Sequence, residues 1–134
     1  MAKPRTLVTG GLGFIGSHLI RTLTAAGHSV RVIDSLSPQI HGQFPSVEPT
    51  IVNDSSIQFM RGDILNPKLL DEAFQDIDCL IHLAAETGTS QSMYEIARYN
   101  SINSQGTALI MDRVVNLKHS IKKVILASSR SIYG

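Results

Sequence analysis

Cysteine is nearly missing from this sequence: Cys79 is the one thiol in 134 residues. No disulfide can form within the chain, and the expected location is a reducing compartment, the cytoplasm. Charge imbalance is missing too. Twelve Lys and Arg stand against eleven Asp and Glu, spread along the chain, for a net charge of +1. That balance gives no electrostatic footprint for nucleic acid or an acidic membrane surface. No apolar run is long enough for a signal peptide or a membrane span. There are no internal repeats and no low-complexity tracts. The five histidines, His18, His28, His41, His82 and His119, keep no metal-ligand spacing with cysteine or acid, so no metal is expected. His82 reads as a satisfied core residue and His18 as a packing residue. No Gly-Lys-Ser/Thr follows the glycine cluster, which excludes a nucleoside-triphosphate loop. Ser128 and Ser129 lack the Gly-x-Ser-x-Gly elbow of a serine nucleophile.

What remains is an ordinary core-forming composition, 43% hydrophobic and 17% charged, which suits one domain over residues 1–134. Short β-branched runs read as strands at Arg5–Thr9, Ser29–Asp34, Ile57–Arg61, Asp78–Ala85 and Lys122–Ser128. Between them, apolar residues at Phe14, Ile15, Leu19, Ile20 and Leu23 keep helical spacing up to Ala26, with Gly27 at the C-terminal cap position. Asn66-Pro67 opens a helix running to about Gln75, and a longer helical region spans 91–117, interrupted near Gly106. Residues 36–56, with three prolines, read as a long surface loop. Met60, Met93 and Met111 read as core filler, and Cys79 as a small buried hydrophobe. Strands alternating with helices predict an α/β, Rossmann-type doubly wound parallel sheet of order 3-2-1-4-5, with a crevice at the carboxyl ends of strands 1 and 4.

The most informative stretch is TGGLGFIG, residues 9–16. Gly10, Gly13 and Gly16 follow a strand at three-residue spacing and open a helix. In such a turn the first glycine permits the reversal, the second lets a pyrophosphate approach the backbone, and the third lets helix and strand pack closely. The helix N-terminus, including Phe14 and Ile15, then offers N–H groups and a positive dipole end. The second strand ends in Asp34, followed by Ser35. A carboxylate there accepts hydrogen bonds from a ribose diol and repels a 2′-phosphate, so the expected cofactor is NAD and not NADP.

The glycine spacing in VTGGLGFIGSHL resembles the extended short-chain dehydrogenase/reductase superfamily, and within it the NAD-dependent nucleotide-sugar epimerases and dehydratases. Further segments agree in order along the whole chain. GDILN (62–66) resembles the segment after strand 3, and implies that Asp63, with Ile64 beside it, holds the adenine. HLAAETG (82–88) resembles the segment after strand 4, with Leu83, Ala84 and Ala85 lining the cofactor and Thr87 near the nicotinamide ribose. NSINSQGT (100–107) gives Asn103 a structural, cofactor-proximal role. VILASSRSIYG (124–134) implies that Ser129 polarises the sugar hydroxyl. Arg130 and Ser131 stand where dehydratases of this kind carry an acidic pair, which favours epimerase or reductase chemistry. The combination of AETGTSQSM with SSRSIYG looks most like the deoxysugar 4-epimerases that act on nucleotide sugars. The resemblance also implies a homodimer through the helices around 91–117.

The family's Tyr-x-x-x-Lys pair is not in these 134 residues: Arg98 lies four places beyond Tyr94, Asn103 four beyond Tyr99, and only Gly134 follows Tyr133. The expectation is a truncated Rossmann domain without the catalytic helix or the substrate domain, inactive alone. Two function classes stay open. One is the NAD-binding portion of a nucleotide-sugar epimerase, or of a dehydratase or reductase. The other is a non-catalytic dinucleotide-binding fragment.

Overall fold

Five short strands line up side by side and all run the same way. In the computed structural model, which describes residues 3–47, 51, 53–116, 121–129 and 132, these are β1 (Arg5–Thr9), β2 (Ser29–Asp34), β3 (Ile57–Arg61), β4 (Cys79–His82) and β5 (Lys123–Leu126). Their order is β3-β2-β1-β4-β5, with every pair parallel. The helices are α1 (Phe14–Ala25), α2 (Pro38–His41), α3 (Pro67–Ala73), α4 (Thr89–Ser92), α5 (Ile96–Tyr99) and α6 (Thr107–Asn116), with a π-helical segment at Asn100–Gly106 between α5 and α6.

Alternation along β1 divides the core into two. Leu7 and Val8 are adjacent, so their side chains leave opposite faces of the sheet. Leu7 packs with Ile33, Leu70, Phe74, Leu80 and Ile110, under α3 and α6. Val8 packs with Ile20, Val30, Val32 and Ile81, under α1. All these side chains except Ile81 are at most 1% exposed, and burying each contributes about 1.5–3 kcal/mol. Helices on both faces make the sheet doubly wound, as the alternation of strands and helices predicts.

Local sequence sets the ends of α3. The Asn66 side chain accepts from the amides of Lys68 and Leu69 at 3.1 and 3.3 Å, and Pro67 takes the first helical position. The other end is held by a residue from β2. Arg31 is 9% exposed. Its Nη1 donates to the carbonyls of Ala73 and Gln75 at 2.8 Å and of Glu72 at 3.3 Å, while Nε donates to Gln58 Oε1 at 2.8 Å. The Ala73 and Gln75 carbonyls lie at the helix end, where intrahelical partners run out. Burial, and then the charge of Arg5, lower its pKa from the ordinary value.

At the amino ends of the strands, Asp78 joins β1, β4 and β5. Its carboxylate accepts from the Arg5 amide at 3.0 Å and from Lys122 Nζ at 2.7 Å. The backbone bond from Arg5, followed by the Lys122 bond, holds its pKa below the usual value.

Several elements differ from the sequence reading. β4 stops at His82 and does not run to Ala85. The Leu83 amide still bonds Thr9 O at 3.0 Å, but β1 ends there and Gly10 turns away, leaving no ladder for residues 84 and 85. β5 is shorter than 122–128 because β4 offers four register partners, Cys79 to His82. The 91–117 region is broken at 93–95, and residues 96–116 then run on as α5, the π segment and α6. The wide turn coincides with a close approach: a Cβ on Gly106 would lie 3.0 Å from Ile64 Cγ1. Residue 117 lies outside the described residues.

Loop 36–56 is not wholly superficial. It contains α2, and Leu36 and Ile51 are 4% and 3% exposed. Met60 and Met111 pack against the core, but Met93 is 77% exposed and fills nothing. Cys79 is a free thiol and half-buried, not buried.

Candidate functional site

A cavity of about 390 Å³ opens at the carboxyl ends of β1, β2 and β4. Gly10, Gly13, Phe14, Ile15 and Gly16 line it from the β1–α1 turn. Asp34 and Ser35 come from the end of β2, and Asp63 and Ile64 from beyond β3. Leu83, Ala84, Ala85 and Thr87 come from the segment after β4. A parallel sheet collects these loops on one edge because every strand points that way.

The three glycines have different reasons to be glycine. Gly10 has φ +68, and a Cβ there would sit 2.7 Å from the Ala84 backbone nitrogen. A Cβ on Gly16 would sit 2.6 Å from Gly10 O and from the Gly11 backbone. Both contacts are internal to the fold. Gly13 differs: its Cβ would meet only Gly10 O, at 3.5 Å, and would otherwise project into the cavity it lines. Gly13 is also the N-cap of α1, which has no side-chain cap. Bare backbone and uncapped N–H groups therefore face the same space, an arrangement that suits a phosphate group.

Asp34 shapes the adjoining wall. It is 7% exposed. Oδ2 accepts from the Leu12 amide and Oδ1 from the Leu36 amide, both at 2.9 Å. The carboxylate thus ties the glycine turn to the exit of β2, where Leu36 takes a left-handed φ of 55. His41 Nε2 lies 3.6 Å from Oδ1. A carboxylate has about four lone-pair sites, so accepting two amides leaves capacity for a ligand diol. Asp63 is exposed, and its Oδ1 accepts from the Leu65 amide at 2.8 Å while it lines the cavity. Turn residue and cavity residue are the same residue here.

A chain of hydrogen bonds whose protons can be assigned runs from the half-buried Thr107 to the buried Thr9–His82 pair. Thr107 Oγ1 donates to Asn103 O at 2.7 Å, so it accepts from His82 Nε2 at 3.1 Å. His82 Nδ1 then accepts from Thr9 Oγ1 at 2.6 Å, and Thr9 Oγ1 accepts from the Ala84 amide at 3.4 Å. His82 is 6% exposed; burial lowers its pKa and favours the neutral ring this tautomer requires. His82 is thus the satisfied core residue the sequence suggests. His18 lies exposed on α1, donating to Phe14 O at 2.8 Å with its ring against Phe14.

Asn103 does not line the cavity. Its side chain accepts from the Glu86 amide at 2.8 Å and donates to Glu86 O at 3.1 Å, fixing the wall after β4. Ser129 is exposed beyond β5 and is not among the lining residues. Arg130, Ser131 and Tyr133 lie outside the described residues. Ser37, Ile40, His41, Glu86, Ile102 and Ala127 line the cavity without being expected from sequence. The first three belong to a segment that reads as polar loop, and no motif marks them.

No group of three or more His, Cys, Asp or Glu able to hold a metal occurs among the described residues. Among those residues no helix is long and apolar enough to cross a membrane.

A model of the NAD dependent epimerase/dehydratase family matches residues 6–134. The chain is 36% identical over 132 residues to the dTDP-L-rhamnose 4-epimerase of Burkholderia thailandensis, covering 97% of this chain and 36% of that protein. It is 34% identical over 132 residues to the UDP-glucose 4-epimerase of Dictyostelium discoideum, covering 97% of this chain and 37% of that one. Among solved structures, the UDP-N-acetylglucosamine 4-epimerase of Methanobrevibacter ruminantium in complex with UDP-N-acetylmuramic acid aligns with TM-score 0.79 at 32% identity, over 100% of this chain and 40% of that chain. The UDP-glucose 4-epimerase of Brucella ovis in complex with NAD aligns with TM-score 0.76 at 30% identity, over 98% and 37%. The chain therefore spans little more than a third of the length of these relatives.

Proposed function

We propose, from the premise that this chain belongs to the NAD dependent epimerase/dehydratase family, that it is the NAD-binding portion of a nucleotide-sugar 4-epimerase, with a deoxysugar as the favoured substrate class. The observation that carries this reading is Gly13. Its missing Cβ leaves room at the uncapped start of α1, in the cavity that Asp34 also lines. The relative named for dTDP-L-rhamnose, a 6-deoxysugar nucleotide, supports the deoxysugar, and the one named for UDP-glucose supports only the broader class of nucleotide sugars.

In this reading, the amides at the start of α1 bind the pyrophosphate and Asp34 accepts from the adenosine ribose. Asp63 and Ile64 border the adenine, and Leu83, Ala84, Ala85 and Thr87 border the rest of the dinucleotide. A bound NAD would supply reversible hydride transfer, and these residues would hold it in place. Ser129 orients the sugar hydroxyl, and Asn103 fixes the wall after β4. Residues 1–134 supply this half of the site. The Tyr-x-x-x-Lys proton chemistry is assigned to none of these 134 residues. The cytoplasm suits a chain with one free thiol. A second copy is the proposed partner over the helices between 91 and 117, where Met93, Tyr94 and Ile96 are exposed.

Calorimetric titration with NAD and NADP tests the cofactor. A hydrogen bond to a charged group is worth about 1.5–3 kcal/mol, so NAD is expected to bind at least roughly tenfold more tightly. Equal or tighter binding of NADP would overturn the role given to Asp34.

A further inference from the structure

We propose that Gln39 is a latch: its side-chain amide joins the two walls of the dinucleotide crevice and sets how fast the cofactor enters and leaves. The inference rests on the cofactor reading above. Gln39 lies on α2, between the lining residues Ser37 and Ile40. Its Nε2 donates to Thr87 O at 2.9 Å and to Gln91 Oε1 at 2.6 Å. An amide nitrogen has two protons, and both are used across the crevice. Thr87 belongs to the wall after β4, so the contact closes one wall onto the other from partners far apart in sequence.

The receiving side is built to hold this contact. The Tyr99 hydroxyl lies 3.0 Å from Thr87 O and 3.1 Å from Gly88 O, anchoring the wall to α5. Gly88 has φ +131, which side chains rarely adopt. A Cβ there would lie 3.0 Å from Tyr99 Oη, 3.4 Å from Gln39 Nε2 and closer still to Gln91 Oε1. Gln39, Gln91 and Tyr99 converge on a spot that only glycine leaves open. Both bonds of Gln39 are exposed to solvent, so they can break and reform without disturbing the core.

A latch and a plain ligand contact differ kinetically. Losing a ligand contact speeds release and leaves entry alone. Losing a latch speeds both, because the same bonds part for entry and for exit. The experiment follows NADH fluorescence in stopped flow for the chain and its Gln39→Ala variant, with release driven by excess NAD. Circular dichroism confirms that the variant folds; Tyr99→Phe serves as a second, milder variant. Both rate constants are expected to rise about five- to tenfold in Gln39→Ala, the size set by one or two exposed neutral hydrogen bonds, with little change in Kd. Faster release at an unchanged entry rate would make Gln39 an ordinary contact and overturn the latch. Two unchanged rates in folded variants would also overturn it, leaving the cofactor reading intact. Failure of the unaltered chain to bind NADH or NAD would overturn the cofactor reading and the latch with it.

Discussion

Val30-Arg31-Val32-Ile33 in β2 and Val124-Ile125-Leu126 in β5 are similar apolar runs that meet opposite surroundings. In β2 the three aliphatic residues are at most 1% exposed, while those of β5 are 38%, 45% and 50% exposed. Both strands pair in parallel with a neighbour. The difference lies in what covers them: β2 sits between β1 and β3, with α1 on one face and α3 on the other, whereas β5 is an edge among the described residues. Apolar sequence made both runs strands, and packing decided which became core. The crevice follows the same division. Its glycine turn and Asp34 stand on the covered side, and among the described residues the β5 side contributes only Ala127.

The largest effects should separate these two sides. Leu7→Ala, in the covered part, is expected to destabilise the chain by about 2–5 kcal/mol in urea denaturation. Ile125→Ala is expected to cost less than about 1 kcal/mol, since little area is removed from burial. Equal losses would show that β5 is covered in solution and would erase the contrast.

Arg31 sharpens it further. Arg31→Met keeps the stem and removes the donors that hold the carbonyls at the end of α3. A loss of about 1.5–3 kcal/mol is expected, the value of hydrogen bonds to a charged group. Denaturation of this variant checks it, and a neutral result would mean that water replaces the guanidinium at no cost.

The smallest expected effect is pH-dependent, at the boundary between the two sides, where His82 joins β1 to α6. Burial lowers its folded pKa below the ordinary 6.5, so the unfolded chain binds the proton more readily. The neutral ring's contribution is therefore fully present above about pH 6.5 and is lost as pH falls from there toward the lower folded value. Denaturation midpoints between pH 7.5 and 5 should fall, and His82→Gln should flatten that slope. An unchanged slope would place the titration elsewhere.

The covered side was also the legible side. The bounds of β1, β2 and β3 follow from β-branched runs stopped by glycine or acid, and the Asn66-Pro67 start of α3 follows from capping chemistry. The cavity residues from the glycine turn, Asp34, Asp63 and the segment 83–87 were readable because local motifs carry them. What stayed hidden depends on contacts distant in sequence. Leu83-Ala84-Ala85 looks like strand because residues facing a cavity are as apolar as residues facing a core. Arg31 looks like a surface charge until the end of α3 reaches it. Leu36 and Ile51 anchor a segment whose prolines and polar residues suggest only loop. The π turn coincides with Ile64 against Gly106, a contact that helical periodicity does not record.

One consequence follows from the ends of the sheet. The carboxyl ends of the strands hold the cavity, while the amino ends hold Asp78 with the Arg5 amide and Lys122. A substitution at Gly13, which meets little else, can thus change what the chain recognises with little effect on how it is held together, and one at Asp78 the reverse. For the experimenter, the turns at 27–28 and 53–56 are places for a fluorophore or an affinity handle that would leave ligand traffic undisturbed. For a lineage of such proteins, recognition and durability could drift on separate schedules along one piece of chain.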